Sequence, residues 1–596
     1  MNAMVVLLIA VVCLLIGYVC YGGWLAKQWG IDPSRPTPAH EYEDGVDYDP
    51  SKPYVVMGHH FSSIAGAGPI NGPIQAAAFG WVPVLLWVLI GGIFFGAVHD
   101  FGALFASLRH KGQSIAVVVK ENIDDMAKTL FCIFGYLTLV LVVAAFASIV
   151  ANTFCVSDTA TEATNLSNRR TAMISVLFIL AAVIWGACTR GRKIPTAVNF
   201  IVAIAIIVAV VAIGYNFPVI SLNYTQWMVV LGIYILVASV TPVWILLQPR
   251  DYLSSFLLYG MMALAIIGII GASIMGETAD LDIPAFTGWV ASNAAYDATT
   301  GEAILDEAGN AVTNSASVSG YLFPTLFITI ACGAVSGFHS LVSSGTTAKQ
   351  LDNESQAQPV AYGSMMIECL LAVISLIAVA FVWDSYAAGE YSAPSAVFAS
   401  GLSQMIACIP GLTNTEDVVY QLLLLAVSAF CLTSLDTATR LARYMFQEMF
   451  TPADEDAELS KPRKVLTNSY VATIITVVAG IALGMTGYSL IWPLFGAANQ
   501  LLAALAMLAV CAWLGNAGKN NKMFYIPMAF MLAATLTSLC MTLYSKIQTI
   551  MTGVGVFAAA LQAVIAVLLL VLAVVLAVKG AKVIFGKKKA KGAQAA

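Results

Sequence analysis

Four ionisable residues, His60, Asp100, His339 and Glu368, sit in otherwise apolar stretches of this chain. Their chemistry is proton binding. Histidine titrates near neutral pH, and an ionisable group inside a membrane span is a functional candidate by default. For Asp100 the competing reading is an interfacial charge near Arg109. Its neighbour His99 points in a different direction on a helix, so the two need not pair with each other. Asp436 lies one turn before Arg440 and is expected to pair with it. Arg250 and Asp251, after Pro249, read as a gate or a structural ion pair, and Lys349 and Asp352 as solvated charges. Ser343, Ser344, Thr346 and Thr347 offer hydroxyl oxygens that can hold a cation or a substrate, or cap a helix break at Gly345.

Other chemistries find little support. His59 and His60 lack a third donor at metal-ligand spacing. The 11 cysteines show no zinc spacing, and no His-Glu-x-x-His run occurs. No catalytic residue, metal or cofactor is expected. A Gly-x-x-x-x-Gly-Lys-Ser/Thr loop is also absent, which leaves an ion gradient rather than ATP as the drive.

The elements that must position these residues are membrane helices. Of 596 residues, 59% are hydrophobic and 10% charged, with a net charge of −5, against about 25% charge in soluble domains. This excludes a soluble enzyme, a disordered chain and a nucleic-acid binder. Apolar runs of about 20 residues, the length a span needs, recur from 3–22 to 556–578. With the weaker run 59–79 they give about fifteen spans. Met1 to Gly17 lacks a basic n-region and a cleavage site and reads as an anchor helix. Basic residues mark the inner loops: Arg190, Arg192 and Lys193; Arg440, Arg443, Lys461, Arg463 and Lys464; and the tail lysines from Lys587. Loops 277–319 and 384–417 have no Lys or Arg and are placed outside. The N-terminus is then outside and the C-terminus cytoplasmic. The acidic segment 23–57 falls inside by this count; if 59–79 does not cross, the N-terminus moves inside.

The spans suggest an inverted repeat. Five lie in 58–215 and five in 227–437, and an odd number per half inverts the second. The first helix of each half is interrupted, at Ala65–Pro73 and at Ala238–Pro242. Interruptions at matching positions point to a transport site, because unwound backbone is tolerated in a membrane only where it lines a cavity. A carboxylate would sit on backbone near Gly66 and Gly68, helped by Ser63, Asn71, Thr241 and Trp244. A small-residue packing seam is the alternative at the first break, and a simple kink at the second. The expected regions are an N-terminal anchor and loop (1–57), a first repeat (58–215), a second repeat with the outer loop 277–319 (216–440), and accessory helices with a basic tail (441–596).

Four motifs carry a resemblance. The run Gly58-His59-His60-Phe61-Ser62-Ser63-Ile64-Ala65-Gly66-Ala67-Gly68-Pro69-Ile70 resembles the hallmark of the carbon starvation protein A family. So do Trp244–Leu253, Ser336–Thr347 and Trp492–Leu501. The resemblance implies an inner-membrane importer induced when carbon is scarce, associated with peptide uptake and with proton-coupled pyruvate uptake. It also implies kinship with amino acid–polyamine–organocation transporters, whose core is a LeuT-like five-plus-five repeat. In such a core His339 would lie in the eighth helix, beside the first, and Ser343, Ser344 and Thr347 near a sodium site. The expectation is an all-α polytopic membrane protein, a secondary active importer of peptides or pyruvate-like carboxylates. His60, His339, Glu368 or Asp100 would carry the coupled proton. Sodium coupling is the alternative within that class. A membrane-embedded metal-dependent hydrolase using His59, His60, His99 and Asp100 is the alternative outside it. Expected partners are the substrate, a proton or sodium ion and the bilayer, with no nucleic acid; oligomeric state has no sequence signal.

Overall fold

The computed structural model describes residues 2–45, 47–158, 160–189, 195–242, 245–275, 280–306, 309–451, 460–553 and 555–586. Helices dominate, because backbone that meets lipid must be satisfied within its own segment. The exception is the connection 280–321, where Val290–Ala291 and Gly320–Tyr321 form a small antiparallel pair. Among the described residues, 11 helices are long and apolar enough to cross a membrane. Tyr224–Val240 and Ser469–Gly484 are apolar but shorter. Two further segments are pairs of half-helices: Pro53–Ile64 with Gly68–Ala76, and Leu322–Thr329 with Phe338–Gly345. The expected count of about fifteen spans is reached only when these two short helices and two broken segments are taken as crossings beside the 11 long helices.

The second interruption is not where the sequence pattern placed it. At Ala238–Pro242 the helix Tyr224–Val240 simply ends, with Thr241 extended, and a separate helix, Leu247–Met275, follows. A second break lies instead in 320–337, which reads from sequence as one continuous span. There the helix stops at Ile330 and resumes at Phe338. No proline marks this break, which is why composition hides it; Gly333 and Gly337 lie within it instead. The expected boundary at residue 440 also falls inside a single helix of 35 residues, Glu416–Phe450, which packs along Asp125–Phe154.

The two breaks touch. A Cβ at Gly68 would collide with the Cys332 side chain. One at Gly72 would stand 2.7 Å from the Thr329 carbonyl oxygen and 3.1 Å from Ile330 Cα. Gly72 admits no side chain because backbone approaches it too closely, and Gly68 because the Cys332 side chain fills the space. Freed groups of the second break are met by two residues of the helix Tyr488–Asn516, Asn499 and Gln500. Asn499 accepts from Phe338 N–H through Oδ1 at 2.8 Å and from Gly337 N–H through its own carbonyl at 3.0 Å. Gln500 donates to the carbonyls of Phe327 and Ile330. Leaving each such buried group unpaired would cost about 1–3 kcal/mol.

Gly72→Ala forces backbone against backbone, and overpacking of this kind costs about 1–3 kcal/mol. Its melting temperature in detergent should fall by several degrees. Gly23→Ala, whose added methyl meets nothing within 4 Å, should leave it unchanged.

Candidate functional site

A buried cluster of ionisable groups joins three elements. Asp100 and His99 lie on the span Trp81–Arg109, His339 on the second half of the second broken helix, and Glu368 on the helix Ser364–Phe381. One carboxylate oxygen of Asp100 meets His99 Nδ1 at 2.7 Å and the other meets His339 Nδ1 at 2.8 Å. His339 Nε2 faces Glu368 Oε2 at 3.5 Å. All four residues are at most 1% exposed. His99 and Asp100, whose pairing the sequence leaves open, do pair: the carboxylate sits between two imidazoles and reaches both.

The arrangement has a clear electrostatic meaning. An imidazole with a carboxylate at each ring nitrogen can donate from both only as imidazolium. With Asp100 and Glu368 ionised, the trio then carries one net negative charge, and burying it is costly. One further proton makes the trio neutral. The cluster is therefore a place where a single proton changes the charge of the protein core.

Cys332, His339 and Glu368 each put one donor atom within 4.8 Å of the others, the one such group among the described residues able to hold a metal ion. Sequence spacing does not show it, because the three come from separate elements. The thiol is engaged, though, with Ser336 Oγ at 3.7 Å and Asn499 Nδ2 at 3.8 Å. His339 Nε2 faces Glu368 at 3.5 Å.

A second buried network centres on Arg250, 1% exposed. Its guanidinium donates to Asp251 at 2.9 Å, to the Tyr234 hydroxyl at 2.6 Å and to Asp436. Tyr234 donates to Asp436 at 2.6 Å, and the other oxygen of Asp251 meets His59 Nδ1 at 2.8 Å. Asp436 thus pairs with Arg250 and not with Arg440. Arg440 instead donates to the carbonyls of Ala238 and Thr241, where a cation complements the open end of Tyr224–Val240.

The remaining expected residues divide. His60 Nδ1 meets Thr347 Oγ1 at 2.8 Å, tying the first broken helix to the end of the second. The Ser63 carbonyl accepts from Ser434 Oγ at 3.1 Å, and its hydroxyl lies 3.4 Å from Thr437 Oγ1. Gly66 and Gly68 serve close packing, Gly66 against Phe146 and Ser434. Asn71 is buried in the half-helix after the break. Ser343 is buried with its hydroxyl unpaired, whereas Ser344 donates to the Ser340 carbonyl at 2.7 Å. Thr241 donates to Val237 and is not bonded to the first break. Trp244 lies outside the described residues, as do Arg190, Arg192, Lys193 and the tail lysines. Asn499, Gln500, Ser434, Thr437, Tyr234 and Cys332 were missed as contributors. Asn499 and Gln500 do stand in the Trp492–Leu501 motif, a signal that could have found them.

The family described as "Carbon starvation protein CstA" matches residues 2–397 and 380–538. The chain belongs to the CstA family. Within it, the chain is 30% identical over 548 residues to "Peptide transporter CstA" of Bacillus subtilis, covering 85% of this chain and 84% of that one. It is 29% identical to "Pyruvate/proton symporter BtsT" of Escherichia coli, covering 91% and 82%. Among solved structures, a manganese transporter from Eremococcus coleocola aligns over 91% of this chain and 99% of its own, with 11% identity and a TM-score of 0.43.

Removing Arg250 would leave Asp251 and Asp436 buried without their counter-charge, and breaking a buried pair costs about 3–5 kcal/mol. Arg250→Met should yield little folded protein by size-exclusion profile and thermal unfolding. Arg250→Lys keeps the charge but loses the fork and should fall between.

Proposed function

We propose that this CstA family member is a proton-coupled secondary importer of small carboxylate-bearing substrates, short peptides or pyruvate-like acids, used when carbon is scarce. Two relatives bear the names peptide transporter and pyruvate/proton symporter, and both substrate classes share a carboxylate. The observation that carries the coupling is the buried Asp100–His339–Glu368 trio. It ties the span after the first break to the second broken helix and the helix that follows, so its proton count is read by the elements that must move. The protein acts as a carrier and not as an enzyme. It resides in the cytoplasmic membrane with its C-terminus inside and its N-terminus outside. Sodium is the competing ion, for which the hydroxyls of Ser434 and Thr437 beside the Ser63 carbonyl are the natural donors.

The packing supports a regrouped five-plus-five core. The first half begins with the broken helix at 53–76 and takes in Trp81–Arg109, Asp125–Phe154, Tyr224–Val240 and Leu247–Met275. The second begins with the broken helix at 322–345 and takes in the helices ending at Phe381, Phe450, Gly484 and Asn516. The hairpin of Glu162–Thr189 and Thr196–Asn216 is then an insertion. The contact of the two breaks, one at the start of each half, is what favours this division.

In proteoliposomes, Glu368→Gln and His339→Asn should each lower uptake driven by an inward proton gradient at least tenfold. Substrate exchange across equal concentrations should persist within a few-fold, since exchange needs no net proton movement. Loss of both activities together would count against a coupling role.

A further inference from the structure

A cavity of about 630 Å³, which none of the four cluster residues lines, opens where the ends of Trp81–Arg109, Phe338–Gly345 and Glu416–Phe450 meet the short helix Ile115–Asn122. Five cationic side chains line it: Arg109, Lys111, Lys120, Lys128 and Lys349. Two carboxylates also line it: Glu121 faces His110 at 3.4 Å, and Glu448 accepts from Ser114 Oγ at 2.9 Å and feels the charges of Lys128 and Lys349. Arg109 pairs with Glu354 at 2.5 Å and Lys120 with Asp125 at 3.7 Å. Among the described residues Lys111, Lys128 and Lys349 form no ion pair within 4 Å, and the single carboxylate Glu448 is shared at longer range by Lys128 and Lys349. The Lys349 ammonium instead lies over the rings of Tyr48 and Tyr444, at 5.1 and 5.5 Å from their centroids.

Cations gathered round one cavity repel one another, and an anion entering among them relieves that repulsion. One monocarboxylate would offset a single lysine and fill little of the volume. We propose that this cavity binds a small multivalent anion, carrying two or more carboxylate or phosphate groups, at a site separate from the transport cluster. The walls say what such binding would do. Ile115 N–H donates to Ser344 Oγ at 3.3 Å, joining the short helix to the second broken helix. Thr347, just beyond that half-helix, holds His60. An anion bridging Lys349 and Lys128 ties this region to the helix Asp125–Phe154 and resists its movement. The acidic segment around Asp47 lies at the rim: Tyr444 donates to Asp47 at 3.1 Å, and Tyr48 donates to the Lys111 carbonyl at 3.1 Å.

Isothermal titration of the purified full-length chain in detergent, at fixed ionic strength, tests this with citrate, inorganic pyrophosphate and acetate. Saturable binding of citrate or pyrophosphate at least tenfold tighter than acetate is expected; which of the two binds tighter assigns the ligand to the carboxylate or the phosphate class. The Lys128→Gln, Lys349→Gln double variant should weaken it tenfold or more, and the corresponding Arg double variant should retain it. Unchanged size-exclusion profiles establish that the variants fold. No saturable heat with either probe, equal affinity for acetate, or unchanged affinity in the folded Gln variant would overturn the proposal.

Discussion

Backbone amides and carbonyls that leave a helix inside an apolar slab have no water to turn to, and the rest of this structure follows from how two such breaks are satisfied. The second break, at 330–337, gives its loose groups to Asn499 and Gln500. The first, at 65–67, rests against it through Gly68 and Gly72. Several kcal/mol per unsatisfied group in lipid is enough to make these two side chains and two glycines a condition of folding. The breaks therefore form a single joint with two sides.

That joint brings ionisable groups into the core that would otherwise be too costly to bury. Ending the helix at Ile330 and restarting it at Phe338 aims His339 between Asp100 and Glu368. On the first broken helix, His60 reaches Thr347 and His59 reaches Asp251, which belongs to the Arg250 network. Charge, hydrogen bonding and helix interruption are thus coupled. A shift of either broken helix breaks a bond to the other or to a buried ion pair.

Much of this was legible in the sequence, and the misses have physical causes. Hydrophobicity set the span positions, and Pro69 and Pro73 announced the first break. The second break is built from Ala, Cys, Val, Ser and Gly with no proline, so it passed for an ordinary span, while Thr241-Pro242 passed for a break. The ionisable residues His60, Asp100, His339 and Glu368 stood out against apolar surroundings. Their partners did not, because pairing depends on tertiary contact: Asp436 has Arg440 one turn away in sequence and Arg250 beside it in space. Cys332 joins the cluster from a position no spacing rule connects to Glu368.

The central claim is that one proton, exchanged at the Asp100–His339–Glu368 trio, accompanies each substrate inward. The most direct measurement is external pH in weakly buffered proteoliposomes when substrate is added with no imposed gradient, using pyruvate and a dipeptide in turn. Alkalinisation of the outside medium in step with uptake of labelled substrate, independent of sodium, is the expected result. Substrate entry that requires sodium and leaves the external pH unmoved would contradict it.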